Sequence, residues 1–203
     1  MKLYALFSTL FLTLVFSSGP LMAENKFVGA KKCKACHRKA KDGEQFKKWS
    51  KGPHAKAFKS LATSKAKELS ASIGVSGNPQ QARECLVCHT PSTYDLAGNE
   101  RPKNMFGKKF KMEDGVHCES CHGAGGKYWK KKKMKKIAKE GGPLKSETAK
   151  KLGLIQPDEK LCRTCHAPQV EIAGVVYKNP TYKDFVFTER AKEIAHPRPK
   201  KKK

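Results

Sequence analysis

The 203-residue chain carries 43 Lys and Arg against 18 Asp and Glu, a formal charge of +25, and 38% of its residues are apolar. Such a charge attracts acidic proteins or an anionic lipid surface in a salt-sensitive way, and with no nucleic-acid-binding motif in the chain nucleic acid is excluded as a partner. The apolar share is low for a self-sufficient core of this size, and beyond the N-terminus no apolar stretch reaches spanning length.

The chain opens "MKLYALFSTLFLTLVFSSGPLMA". Lys2 is a short positive region, Leu3 to Phe16 is an apolar run too short to span a bilayer comfortably, and Ser17-Ser18-Gly19-Pro20 leads to the small residue Ala23. The pattern predicts a secretory signal peptide over residues 1–23, cleaved near Ala23, and hence a periplasmic or extracellular protein. Leu21 is larger than the small residue preferred three positions before a cleavage site, so an uncleaved membrane anchor is the alternative. Residues 24–203 then form one domain, of which about a third is apolar.

Along that domain a short helix is expected in "KAKDGEQFKKWS", broken at Gly52 and resumed at Pro53, which suits a first helical turn. On the resumed helix His54, Ala57, Phe58 and Leu61 share one face. "SKAKELSASIG" predicts a weak amphipathic helix ended by Gly74, and "VSGNPQQ" a loop. Residues 90–115 carry Pro and Gly too often for long elements. A lysine-rich helix is expected from Tyr128 to Glu140, stopped by Gly141-Gly142-Pro143, and a last one in "TERAKEIAHP" with Thr188 as N-cap and Pro197 as terminator. The fold class is mainly α, a small helical protein with long loops and at most a short strand or two.

Between these elements one word appears four times: Cys33-Lys-Ala-Cys36-His37, Cys85-Leu-Val-Cys88-His89, Cys118-Glu-Ser-Cys121-His122 and Cys162-Arg-Thr-Cys165-His166. It uses all eight cysteines, and the unequal gaps between words exclude a regular solenoid. A zinc site wants paired cysteines but makes no demand on the next residue, and a redox dithiol or a disulfide framework makes none either. Covalent haem attachment explains every histidine: two thiols on a tight turn reach the two vinyl groups of one porphyrin edge, and the next imidazole reaches the iron. Four covalently bound haems follow, and they supply the core that the side chains lack.

Seven histidines then serve four irons. His37, His89, His122 and His166 are committed by the motif, so His54, His117 and His196 are left as sixth ligands, and at least one iron lacks a second histidine. His54 lies on an apolar helix face and His196 at a helix end. His117 directly precedes Cys118, so its ring is expected to turn away from that haem. Methionine is the other haem ligand of this kind, and Met134 is the one that falls within a predicted helix.

With these residues in place the chain resembles the tetrahaem cytochrome c-554 family, known from ammonia-oxidising bacteria and with relatives in many respiring bacteria. The likeness runs from about Val28 to His196 through "GAKKCKACH", "KKWSKGPHAKAFKSL", "GVHCESCHGAGG", "CRTCH" and "FVFTERAKEIAH". It implies a mainly helical monomer with closely packed haem pairs that shuttles electrons in the periplasm. By position it implies that His54 is the distal ligand of the fourth haem and His196 that of the third, while the second keeps an open face. The family's remaining distal histidine lies about a dozen residues beyond the third motif and serves the first haem. Here that stretch reads "GAGGKYWKKKKMKKIAKE" and has no histidine, which leaves Met134, His117 or an empty site.

The leading reading is an electron-transfer protein whose charge meets acidic redox partners or an anionic membrane surface. The alternative is a reductase of nitric oxide or another small nitrogen oxide at a five-coordinate haem. A subunit of a haem filament is the third, and the like-charged surface opposes its close stacking.

Overall fold

The computed structural model describes residues 25–196; the expected signal peptide, Pro197 and the terminal lysines lie outside the described residues. The fold is mainly α-helical, as expected. Its helices are α1 (Ala30–His37), α2 (Gln45–Lys51), α3 (Ala57–Ser60), α4 (Ser64–Ser72), α5 (Arg83–His89), α6 (Cys118–His122), α7 (Lys131–Lys139), α8 (Glu147–Leu152), α9 (Glu159–Arg163) and α10 (Phe187–Ile194). One antiparallel hairpin, β1 (Gln169–Ile172) and β2 (Val175–Lys178), pairs Ile172 with Val175 across the turn Ala173-Gly174, whose two residues both have positive φ. That conformation matches the right-handed twist of paired strands and accounts for so short a connection. Among the described residues no helix is long and apolar enough to cross a membrane.

Several elements differ from expectation for local reasons. The CxxCH words, expected on tight turns, form the last turns of α1, α5 and α6 and the end of α9, because a spacing of three places both thiols on one helix face. His54 sits in a 3₁₀ turn, His54–Lys56, that runs into α3 rather than in one continuous helix. Helix α7 starts at Lys131, because Tyr128 and Trp129 both donate their N–H to Gly125 in a turn of their own. Helix α10 starts one residue before Thr188, with Val186 at the N-cap and no side-chain cap, and His196 lies beyond its end. Helix α4 keeps the expected bounds, capped by Thr63, whose hydroxyl accepts the Ala66 N–H at 3.2 Å.

The apolar core is thin. Among the described residues its compact cluster is Tyr128, Ile137, Ala149 and Leu154, with Met134 and Leu152 packed against it, and it joins α7 to α8. A second apolar group, Phe27, Phe106 and Phe110, forms where residues 27 and 106 make a parallel bridge, with ring centres of Phe106 and Phe110 4.4 Å apart. These two groups flank the first and third words.

Candidate haem-binding centres

Each CxxCH word places its imidazole at or just past a helix end, and a carbonyl oxygen orients three of the four rings. His37 Nδ1 lies 3.1 Å from Gln45 Oε1, His89 Nδ1 2.7 Å from the Ala57 carbonyl oxygen, and His122 Nδ1 3.1 Å from the Ile155 carbonyl oxygen. A carbonyl oxygen can only accept, so Nδ1 carries the proton in each ring and Nε2 keeps its lone pair. Gln45 is oriented for this by its own amide, which donates to the Asp42 carbonyl at 2.7 Å. A metal-ligating histidine needs this bond on its far nitrogen. The fourth ring, His166, instead stacks flat on Phe185, with centres 4.8 Å apart and planes 12° apart.

Two further histidines face motif histidines. The His54 and His166 ring centres are 5.9 Å apart, and those of His122 and His196 are also 5.9 Å apart. An iron about 2 Å from each of two imidazole nitrogens separates ring centres by about 6 Å, so both gaps fit an iron between the rings. Burial lowers the pKa of His54, His89, His122, His166 and His196, with the facing imidazole adding to the effect on His54 and His196. The neutral ring that results is the form that binds a metal.

The cysteines are free thiols, and some of them are neighbours across words. Cys33 neighbours Cys118, and Cys88 neighbours Cys165; that proximity and burial push Cys33 and Cys88 up. Burial, with Cys162 and Cys165 nearby, pushes Cys121 up to about 11. The first word thus abuts the third, the second abuts the fourth, and the third and fourth are neighbours. Cys36 is exposed.

His117 stands apart. It is 2% exposed, whereas the other six histidines are part-exposed or open. Its Nδ1 accepts the Glu119 N–H at 3.3 Å and so caps α6, its ring meets Phe110 edge-on at 5.5 Å, and its Nε2 has no hydrogen-bond partner. Burial lowers its pKa to about 4. Met134 is partly buried against Tyr128 and Ile137, and the Tyr128 phenol is close enough to Cys33 and Cys118 to respond to their charge.

Two features escaped the sequence reading. The backbone carbonyls of Ala57 and Ile155, which orient His89 and His122, have no signature in side-chain letters. Glu119 does have one, a carboxylate inside a CxxCH spacer. It is fully buried and accepts the N–H of Val28 at 2.8 Å, Gly29 at 2.7 Å and Gly125 at 2.6 Å, tying the entry to α1 to the third word. The third word is tied to the His54 segment as well. Trp49 Nε1 donates to the Val116 carbonyl at 2.9 Å and the Val116 N–H to the His54 carbonyl at 3.0 Å. Gly115, at φ +64°, is needed there because a Cβ would press on that same His54 oxygen.

The family described as cytochrome c554 and c-prime matches residues 32–123. The chain is 31% identical over 196 residues to cytochrome c-554 of Nitrosomonas europaea, covering 88% of this chain and 77% of that protein. No solved structure matches.

Proposed function

Since the chain belongs to the cytochrome c-554 family, we propose that it is an exported electron carrier that holds four haems, one on each CxxCH word, and passes electrons between respiratory partners in the periplasm. Family membership implies covalently bound haem c. The observation that supports this use of the residues is the set of imidazoles with Nδ1 bound to a carbonyl oxygen and Nε2 bare, two of the four motif rings being faced by a second histidine across 5.9 Å. Haem supplies one-electron exchange at its iron, and the chain sets position, access and charge around it.

In this reading Cys33, Cys36, Cys85, Cys88, Cys118, Cys121, Cys162 and Cys165 form the thioethers, and His37, His89, His122 and His166 bind from the proximal side. His54 binds opposite His166, and His196 opposite His122, which leaves no place for substrate at either iron. Met134 serves the first haem, because its side chain lies on the α7 face beside Tyr128, within the neighbourhood of the first and third words. His117 is a helix cap: its Nδ1 accepts a backbone N–H, so in the neutral ring the proton sits on Nε2 and that nitrogen lacks the lone pair a metal needs. The thin apolar core fits a protein whose interior is completed by bound macrocycles. Its partners are acidic redox proteins, with an anionic membrane surface as a secondary contact, and it works as a monomer.

A second reading rests on His89. Among the described residues no histidine ring faces it, so the second haem has a face for a small nitrogen oxide such as nitric oxide, and the protein then acts as a reductase.

The test is intact mass together with acid-acetone extraction. The carrier reading expects the chain from about Glu24 plus four haems that stay with the protein. Extractable haem or bound zinc overturns it. Cyanide and nitric oxide titration with haem-resolved spectra tests the second reading, which falls if no high-spin iron takes up ligand.

A further inference from the structure

Helix α7 carries more positive charge than its fold needs. Lys131, Lys132, Lys133, Lys135, Lys136 and Lys139 are all exposed, while the helix buries only the Met134 and Ile137 stripe. Its first turn holds no acidic residue, so three lysines sit at the positive end of the helix dipole and like charges repel at spacings of three and four. The nearby carboxylates are already engaged. Glu140 accepts from Ser146 and Thr148 and lies 3.8 Å from Lys136, and Glu147 pairs with Lys150 at 2.7 Å. Among the described residues the α7 lysines other than Lys136 have no carboxylate partner, and charge that costs the fold stability without one is explained by an external partner.

That face is tied to a haem word. Tyr128, packed under α7 against Ile137, donates its phenol O–H to the Gly123 carbonyl at 2.5 Å, directly after the third word, with the His122 carbonyl 3.2 Å away. Leu154, in the same cluster, leads directly into Ile155, which exchanges two bonds with His122: its N–H donates to the His122 carbonyl at 3.1 Å and its carbonyl holds His122 Nδ1 at 3.1 Å. The Ile155 side chain is 46% exposed, and Leu144, in the turn between α7 and α8, is 63% exposed. Leu144 lies in the turn that follows the lysine helix, and Ile155, bonded through its backbone to a motif histidine, follows Leu154 of the α7 cluster; exposed apolar side chains on segments adjoining a lysine helix have the make-up of an interface for a protein with an acidic rim and an apolar centre.

We propose that the α7 lysine face, with Leu144 and Ile155, is the docking surface for an acidic redox protein, and that it presents the third CxxCH word to that partner. This rests on the electron-carrier reading. Charge complementarity sets the encounter and the apolar pair holds the final complex.

The experiment uses the holoprotein and two labelled peptides, an oligoglutamate and one with leucines among the glutamates, with binding followed by fluorescence anisotropy and by dye quenching. Reversing Lys131, Lys132 and Lys135 to Glu is expected to weaken both peptides by about tenfold or more at low salt. The control reversal of Lys178, Lys183 and Lys192 is expected to change them by less than about twofold. Ile155→Ser is expected to weaken only the leucine-containing peptide. Changing Lys131, Lys132 and Lys133 to Gln is expected to raise the melting temperature while lowering affinity, which a purely structural role would not do. Equal effects of the two reversals overturn the proposal, as do carbodiimide cross-links spread evenly over the surface. So does a result in which the α7 reversal abolishes binding to phosphatidylserine vesicles but leaves peptide binding intact, which would make the face a membrane site. If the haem content test fails, the carrier reading falls instead, so the two failures are distinguishable.

Discussion

Glu119 holds together two segments that are far apart in the chain. Burial pushes its pKa up while the three backbone N–H groups pull it down, and burial is the larger effect. The three donors need an acceptor on both oxygens: Val28 and Gly125 use Oε1 and Gly29 uses Oε2. Glu119→Gln turns one oxygen into an NH₂ group that faces a donor, and leaving a buried N–H unsatisfied costs on the order of 1–3 kcal/mol. Denaturant unfolding of the holoprotein should show that loss, whereas Glu68→Gln on the surface should change stability by less than about 0.5 kcal/mol. The ligand proposed for a haem on the first word is tested at the same scale. With Met134 as ligand, the oxidised protein shows a sulfur-to-iron band in the near infrared that Met134→Ala abolishes. His117→Asn keeps a good N-cap and is expected to leave every ligation signature unchanged. A new high-spin signal in His117→Asn, with the band intact in Met134→Ala, would exchange the two roles.

At the scale of elements, one carboxylate clasps the turn from α7 to α8 in addition to its backbone bonds. Glu140 accepts from the Ser146 hydroxyl, the Thr148 hydroxyl and the Thr148 N–H, and these bonds lower its pKa from 4.5 to about 2. A carboxyl whose folded pKa is depressed contributes stability that is fully present above its unfolded value and is lost as pH falls through the folded one. Between about pH 4.5 and 2 the protein should therefore lose stability more steeply than Glu140→Gln does, as melting temperatures across that range will show; parallel curves would mean that the clasp does not form. Sequence legibility follows the same division. Helices α4 and α7 were legible from stop residues such as Gly74 and Gly141, which act locally. The starts of α7 and α10 were not, because Tyr128 and Trp129 are held in a turn by their bonds to the Gly125 carbonyl and α10 begins without a side-chain cap. The four CxxCH words were legible from letters alone, since thiol and imidazole spacing is local chemistry. The carbonyls of Ala57 and Ile155 were not, since only tertiary folding brings them to His89 and His122.

At the scale of the whole molecule, a thin core and a formal charge of +25 make opposite demands on salt. Lysines dispersed over the surface repel one another in the compact state, and that repulsion is screened once the Debye length shrinks to about 10 Å at 0.1 M salt. Screening therefore favours the fold. Attraction of an acidic partner uses the same charges from outside and is weakened by the same screening. Raising sodium chloride from low to physiological levels should raise the melting temperature of the holoprotein while slowing association with an acidic partner, and both slopes should flatten in a variant with the α7 lysines changed to Gln. A single sign for both slopes would break the link. If stability and association both fell with salt, ion pairs such as Arg163 with Glu159 at 2.7 Å would outweigh the net repulsion, and the excess charge would not be a cost that a partner relieves.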